Sequence, residues 1–149
     1  VFHLRAGDRN VPSILETLTD DGRRWVMGQK YLPAARAGDK RILLLDGAPI
    51  GAVLRVPRED EVRGNLHVGG RPERTTLDTR DREICAAMSA RLRADGLWFV
   101  GIDVIGGFLT EVNVTSPTGV QEVNALEGVR LQAQIVDFIE QRAAARSHA

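Results

Sequence analysis

Two strand-like runs separated by Gly106-Gly107 constrain this chain more than any other stretch of it. Leu97 to Ile105 is apolar and β-branched except at Asp103, and Phe108 to Val114 alternates around Glu111 and Asn113, the pattern of strands packed into a sheet. Glycine reaches the positive φ of tight primed turns, so Gly106-Gly107 predicts a two-residue hairpin. In such a hairpin Glu111 and Asn113 share a face, and Asp103 on the partner strand comes near them. Two carboxylates that close repel unless a cation neutralises them, and an oxygen-only set suits magnesium or manganese. The competing reading is a solvated sheet face with ordinary carboxylates.

With 149 residues the chain has the length of one domain with a real core. Twenty basic residues balance twenty acidic ones, which argues against nonspecific adhesion to nucleic acid or a membrane. Cys85 is the only cysteine, so there is no internal disulfide, and a reducing compartment fits. No signal peptide or bilayer-length apolar run is found, and the expected setting is the cytoplasm. The chain opens strand-like at Val1-Phe2-His3-Leu4 without an initiator methionine, so further sequence is expected upstream.

In chain order, Asn10 is placed to cap a helix that tolerates Pro12, presents Ile14, Leu15 and Leu18 on one face, covers a sheet and ends near Asp21-Gly22. Arg24 to Tyr31 reads as a strand with Trp25 and Met27 in the core, ended by Leu32-Pro33. A polar loop over 34–39 leads to Lys40-Arg41 and the apolar run Ile42 to Leu45. Asp46-Gly47-Ala48-Pro49 turns the chain into a second strand, Ile50 to Val56. Arg55 lies inside that strand, where burial requires either a bound anion or a salt bridge to a nearby acid.

Pro57 to Gly70 is long and irregular, the length of a functional lid or of a solvated glycine-rich loop. On it Arg63 and Asn65 are donors suited to phosphate or carboxylate, while His67 reads as an exposed loop histidine. Asp78 or Thr79 caps a helix striped by Ile84, Ala87, Met88 and Leu92, with Cys85 beside the stripe and Gly96 at its end. Thr115-Ser116-Pro117-Thr118-Gly119 is a loop of hydroxyls and backbone amides next to the acids. A last helix carries Leu131, Ile135, Val136 and Ile139 on one side, and 142–149 reads as a frayed tail. The fold expected is α+β, an antiparallel sheet packed against helices over 10–19, 79–95 and 130–141. No phosphate-binding P-loop, dinucleotide fingerprint, zinc spacing or nucleophile elbow occurs. Lys40, Arg41, Arg55 and Arg63 have no acidic partners within their own segments. Cations facing an acidic, metal-suited cluster imply a polyanion between them, most commonly metal-bound nucleotide phosphate.

Gly28-Gln29-Lys30-Tyr31-Leu32-Pro33, Gly38-Asp39-Lys40-Arg41, Arg63-Gly64-Asn65 with Gly69-Gly70-Arg71, Gly101-Ile102-Asp103 and above all the stretch Leu109 to Thr118 resemble the carboxy-terminal part of the prokaryotic glutathione synthetase ATP-grasp domain. The resemblance covers nearly the whole chain in order. It implies an ATP- and Mg2+- or Mn2+-dependent ligase that joins γ-glutamylcysteine to glycine through an acyl phosphate, and a homo-oligomer. It implies metal ligation by Asp103, Glu111 and Asn113; nucleotide contacts from Gln29, Lys30, Tyr31, Leu32 and Asp39; stabilisation of the transferred phosphoryl group by Arg41 and Arg55; and peptide binding by Arg63, Asn65, Ser116, Pro117 and Thr118. Residues 1–149 then stand for the last part of an ATP-grasp domain. The family's two nucleotide lysines, its glycine-rich phosphate loop and its amino-terminal substrate domain lie outside them, so the chain is not expected to be active alone. The segment before Arg55 is one residue short, His67-Val68 stands where small residues are usual, Pro72 replaces a glycine, and Gly119-Val120-Gln121-Glu122 differs from the common Cys-Ile-Arg-Glu. Because these departures fall on the lid and the substrate loop, two alternatives stay open: another ATP-grasp carboxylate–amine ligase, and a noncatalytic nucleotide-binding module.

Overall fold

The structure is a computed structural model that describes residues 2–58 and 70–146. It divides into two units, Val1–Pro33 and Ala34–Ala149.

In the first unit, α1 (Val11–Thr19) starts after Asn10 with proline in its first turn, where the missing N–H would have had no helical partner anyway. It stops at Asp20, whose left-handed φ of 51° returns its N–H to the carbonyls of Glu16 and Thr17. No residue of α1 is buried and no strand lies in its unit among the described residues, so the expected sheet beneath it is absent there. Residues 24–31 are irregular rather than a strand. A strand is held by ladder hydrogen bonds to a neighbour, and none of the described strands pairs with this stretch. Trp25 (103% exposed) and Met27 (83%) therefore stand in solvent rather than in the expected core.

A 3-10 turn, Pro33–Ala37, takes the place of the expected loop and leads into the second unit. Five antiparallel strands follow among the described residues: β1 (Asp39–Leu45), β2 (Ala48–Val56), β3 (Arg71–Arg74), β4 (Phe99–Ile105) and β5 (Phe108–Asn113), in the order β3-β2-β1-β4-β5. α2 (Thr79–Ala94) begins on a complete capping box between Asp78 and Asp81. β3 and α3 (Val120–Glu127) are additions to the sequence expectation. β3 has only four residues, two of them arginine, and shows no readable apolar period, whereas α3 carries Val120, Val123 and Leu126 at helical spacing in a short segment. α4 (Leu131–Arg146) runs through the expected tail, and the Arg142 guanidinium lies 3.7 Å over the ring of Trp98, the residue before β4, which ties the last turns down. Leu131 is buried and Ile135 half-buried as expected, whereas Val136 and Ile139 are exposed.

Strand alternation sends two cores to opposite sides of the sheet. Ile42, Leu44, Ala52, Val100, Ile102 and Val104 meet Ile84, Cys85 and Leu92 of α2. Leu43 and Val53 meet Val123 of α3 and Leu131 of α4. Deleting a buried leucine side chain such as Leu43 costs about 2–5 kcal/mol.

Candidate active site

The alternation that sends Leu43 and Val53 to the α3/α4 side also sends Asp39, Arg41, Arg55 and Asp103 there, toward the open end of that face. Asp39 pairs with Arg55 across β1 and β2, and Arg41 with Asp103 across β1 and β4. Arg41 holds Asp103 with a two-pronged grip, Nε to Oδ1 at 2.5 Å and Nη2 to Oδ2 at 3.0 Å. Arg55 Nη2 reaches the same Oδ2 at 2.8 Å, and its Nε donates to Asp39 Oδ1 at 2.5 Å. The two arginines and Asp103 are all buried. Of the two readings of Arg55, the salt bridge is what the structure contains, made to Asp39 on the neighbouring β1 and to Asp103 on β4 beyond it.

Burial alone would depress Arg55, but its hydrogen bond to Asp39 and the charge of Asp103 outweigh that and raise its pKa, so the guanidinium stays charged. The Asp39 carboxyl is pushed up by burial, only partly countered by Arg55. Three buried ionic groups are costly to desolvate, so this network is weak evidence for stability and stronger evidence for a site whose charges are used.

Asp103 lies directly opposite Glu111, and Asn113 opposite Gly101, so the three oxygen-bearing side chains do share a face. The route differs from the one the sequence suggested. From Ile105–Phe108 at the turn, a regular ladder would set Asp103 against Thr110 and send Glu111 to the α2 side. A bulge between the Asp103 and Val104 pairings absorbs one residue of β5 and corrects this. Counting outward from Gly106-Gly107 gives the signal: acids that share a face at these positions require an extra residue.

Gly101 provides space rather than backbone freedom. A Cβ there would lie 2.8 Å from Pro117 Cβ and 3.3 Å from Arg41 Nη1. Arg41 Nη1 passes through this slot to donate to the Thr118 carbonyl at 3.1 Å, with Thr118 Oγ1 at 3.4 Å. The loop is therefore fastened to the acid cluster by one guanidinium. Ser116 bends it with φ 50°, a region few residues other than glycine occupy.

The donors present fit a hard divalent cation. Three of the roughly four lone-pair sites on the Asp103 carboxylate are occupied by guanidinium N–H groups, which leaves one. Asn113 Nδ2 is buried without a hydrogen-bond partner, so its N–H groups have no bond to give up if the amide turns. Among the described residues no group of three or more His, Cys, Asp or Glu side chains could hold a metal. Two carboxylates and an amide are the incomplete shell that suits magnesium shared with phosphate.

Lys40 is not part of this face. It points to the α2 side, where Nζ binds the buried Asp81 carboxylate and the Thr76 carbonyl at 3.1 Å. The expectation that it faces the acid cluster fails because it occupies the other parity on β1 from Arg41. Gln29, Lys30, Tyr31 and Leu32 belong to the first unit, where the Tyr31 ring stacks on His3 at 4.1 Å. Arg63, Asn65 and His67 lie outside the described residues. Cys85 is buried in the α2 core, as expected, and that burial pushes its thiol pKa up. No helix among the described residues is long and apolar enough to cross a membrane.

Residues 1–128 match the family described as prokaryotic glutathione synthetase, ATP-grasp domain. The chain is 59% identical over 139 residues to the glutathione synthetase of Gloeobacter violaceus, covering 93% of this chain and 43% of that protein. It is 55% identical over 142 residues to that of Synechocystis sp., covering 95% and 44%, and 51% identical over 142 residues to that of Brucella melitensis, covering 95% and 46%. It thus spans less than half the length of these relatives. In fold it is similar to a D-alanine–D-alanine ligase from Bacillus anthracis complexed with ATP, with a TM-score of 0.54 at 15% identity over 95% of this chain and 48% of that one. The chain belongs to the prokaryotic glutathione synthetase ATP-grasp domain family.

Proposed function

We propose that this chain is the carboxy-terminal part of an ATP-grasp domain in a cytoplasmic, homo-oligomeric enzyme that joins γ-glutamylcysteine to glycine with conversion of ATP to ADP and phosphate. The observation that carries this reading is the convergence of Arg41, Arg55, Asp103, Glu111 and Asn113 on one sheet face, fastened to the Pro117-Thr118 loop. Two arginines against Asp39, Asp103 and Glu111 give the cluster a formal charge of −1. A divalent cation held by Asp103, Glu111 and Asn113 makes it +1, the sign that complements a polyphosphate. When bound, that cation supplies charge neutralisation for the phosphates.

In this reading the dipeptide carboxylate oxygen attacks the γ-phosphorus. The bond to the ADP oxygen breaks and an acyl phosphate forms. The glycine amine then attacks the acyl carbon, the amine proton is lost, and phosphate leaves with the electron pair of the broken C–O bond. Arg41 and Arg55 are already locked in place by Asp103 and Asp39. They present fixed positive charge where negative charge develops, and the loss of one such donor costs roughly 3 kcal/mol of barrier. Asp39 and, within the first unit, Gln29, Lys30, Tyr31 and Leu32 are the nucleotide contacts of this proposal. Ser116, Pro117 and Thr118, with Arg63 and Asn65, hold the dipeptide.

The test is phosphate release by the full-length protein from ATP and magnesium with γ-glutamylcysteine, with and without glycine. Release that requires both substrates supports the reading. Release with a different acid and amine retains the ligase chemistry and overturns the substrate assignment. Nucleotide binding without release for any pair leaves a noncatalytic module.

A further inference from the structure

We infer that Thr110 is the positioning residue whose hydroxyl holds the β5 bulge that keeps the metal-binding side chains on one face, an inference that rests on the metal-dependent reading above. β4 and β5 are joined at Gly106-Gly107, and the pairs nearest the turn are Ile105 with Phe108 and Val104 with Leu109. The next pair is Asp103 with Glu111, so Thr110 is the extra residue of the bulge, where two residues of β5 stand against one of β4. Because side chains alternate faces, this one extra residue decides the face on which everything after it lies. With it, Glu111 and Asn113 join Asp103, while Leu109 and Val112 lie opposite Val104 and Ile102 on the α2 side. With Thr110 paired regularly to Asp103, Glu111 would oppose Ile102, a fully buried core residue, and Val112 would take the place of Asn113 opposite Gly101.

The Thr110 hydroxyl marks this residue as more than a spacer. Its Oγ1 donates at 3.1 Å to the backbone carbonyl of Asp103, the residue where the ladder breaks. A bulge disrupts the local ladder, and here a side chain bonds the strand backbone at the break. The same bond fixes the distance between the backbone of one carboxylate and the start of the segment carrying the other two ligands. Groups that orient metal ligands in this way are worth about 10–100-fold in affinity.

The experiment uses full-length protein and Mn2+ binding in the presence of a nonhydrolysable ATP analogue, followed by electron paramagnetic resonance, with amide hydrogen exchange of the metal-free protein alongside. Thr110→Ser keeps the hydroxyl and is expected to match wild type in both. Thr110→Val keeps the residue without the bond and is expected to weaken Mn2+ binding about tenfold and to speed exchange across 111–113. Deleting Thr110 removes the bulge but pairs Asp103 with Glu111 in a regular ladder, so it is expected to retain Mn2+ binding within a few-fold. A Thr110→Val protein that matches wild type in exchange and in Mn2+ affinity overturns the role of the hydroxyl. A folded deletion variant without Mn2+ binding overturns the register argument. If wild type itself binds no Mn2+, the functional reading fails, and the exchange data still decide whether Thr110 holds the bulge.

Discussion

On the α2 side of the sheet, β1 contributes a single charge, Lys40, and it ends on Asp81 at the start of a helix that Asp81 also caps. On the other side the same strand contributes Asp39 and Arg41, which join Arg55 and Asp103 in a buried network with Glu111 and Asn113 beside it. The first arrangement is closed: helix and strand satisfy each other, and apolar side chains surround them. The second is open, with an amide nitrogen left without a partner, an exposed carboxylate and a loop held over it by one arginine. Charge placed to hold a fold finds its partners inside the fold, whereas charge placed to meet a ligand leaves some donors and acceptors unused.

Removing charge on each face separates these roles. Asp103→Ala leaves Arg41 and Arg55 buried with one carboxylate between them and is expected to cost about 3–5 kcal/mol in chemical denaturation. Replacing both members of a buried pair with apolar residues is far milder. Arg41→Met with Asp103→Leu is therefore expected to retain the fold and lose metal–nucleotide binding. The matching change on the other side, Lys40→Met with Asp81→Leu, is expected to keep that binding. If both doubles lose it, the distinction between the faces is wrong.

Gly101→Ala probes the slot between the site and its loop. The added methyl meets Pro117 and Arg41, and overpacking of this kind costs about 1–3 kcal/mol. The larger consequence is expected in the KM for the dipeptide, because the loop carrying Ser116 to Thr118 must move. An unchanged KM would show that the loop position does not matter for that substrate.

The smallest effect belongs to the closed face. The Asp78 carboxyl is held below its ordinary 3.8, first by the backbone N–H of Asp81 and further by the charge of Lys40. A depressed carboxyl adds stability above its unfolded value and loses it as pH falls through the folded one. Asp78→Ala is thus expected to lower the melting temperature at neutral pH, with the gap to wild type closing below about pH 3.8. A gap independent of pH would mean that the cap acts without its charge.

The hairpin, the two flanking strands and α2 were legible because each pairs a clean period with a turn or cap: Gly106-Gly107, Asp46-Gly47 and Asp78. Residues 24–31 have strand-forming residues but no ladder partner among the described strands, and local composition does not reveal that. Lys40 and Arg41 look equivalent in the sequence and differ only in parity, which the burial of Ile42 and Leu43 on opposite sides decides. The bulge at Thr110 went unread because face sharing was inferred from the i, i+2 spacing of Glu111 and Asn113 without counting across the turn to Asp103.

The central claim, that the open face holds a divalent cation against nucleotide phosphate, is tested most directly by the Mn2+–nucleotide affinity of full-length protein carrying Glu111→Gln. Glu111 is exposed and makes no contribution to either core, so the fold is expected to survive the change. The expected result is affinity at least about tenfold weaker than wild type with an unaltered melting temperature. Equal affinities in a folded protein would contradict the assignment of this face as the metal site.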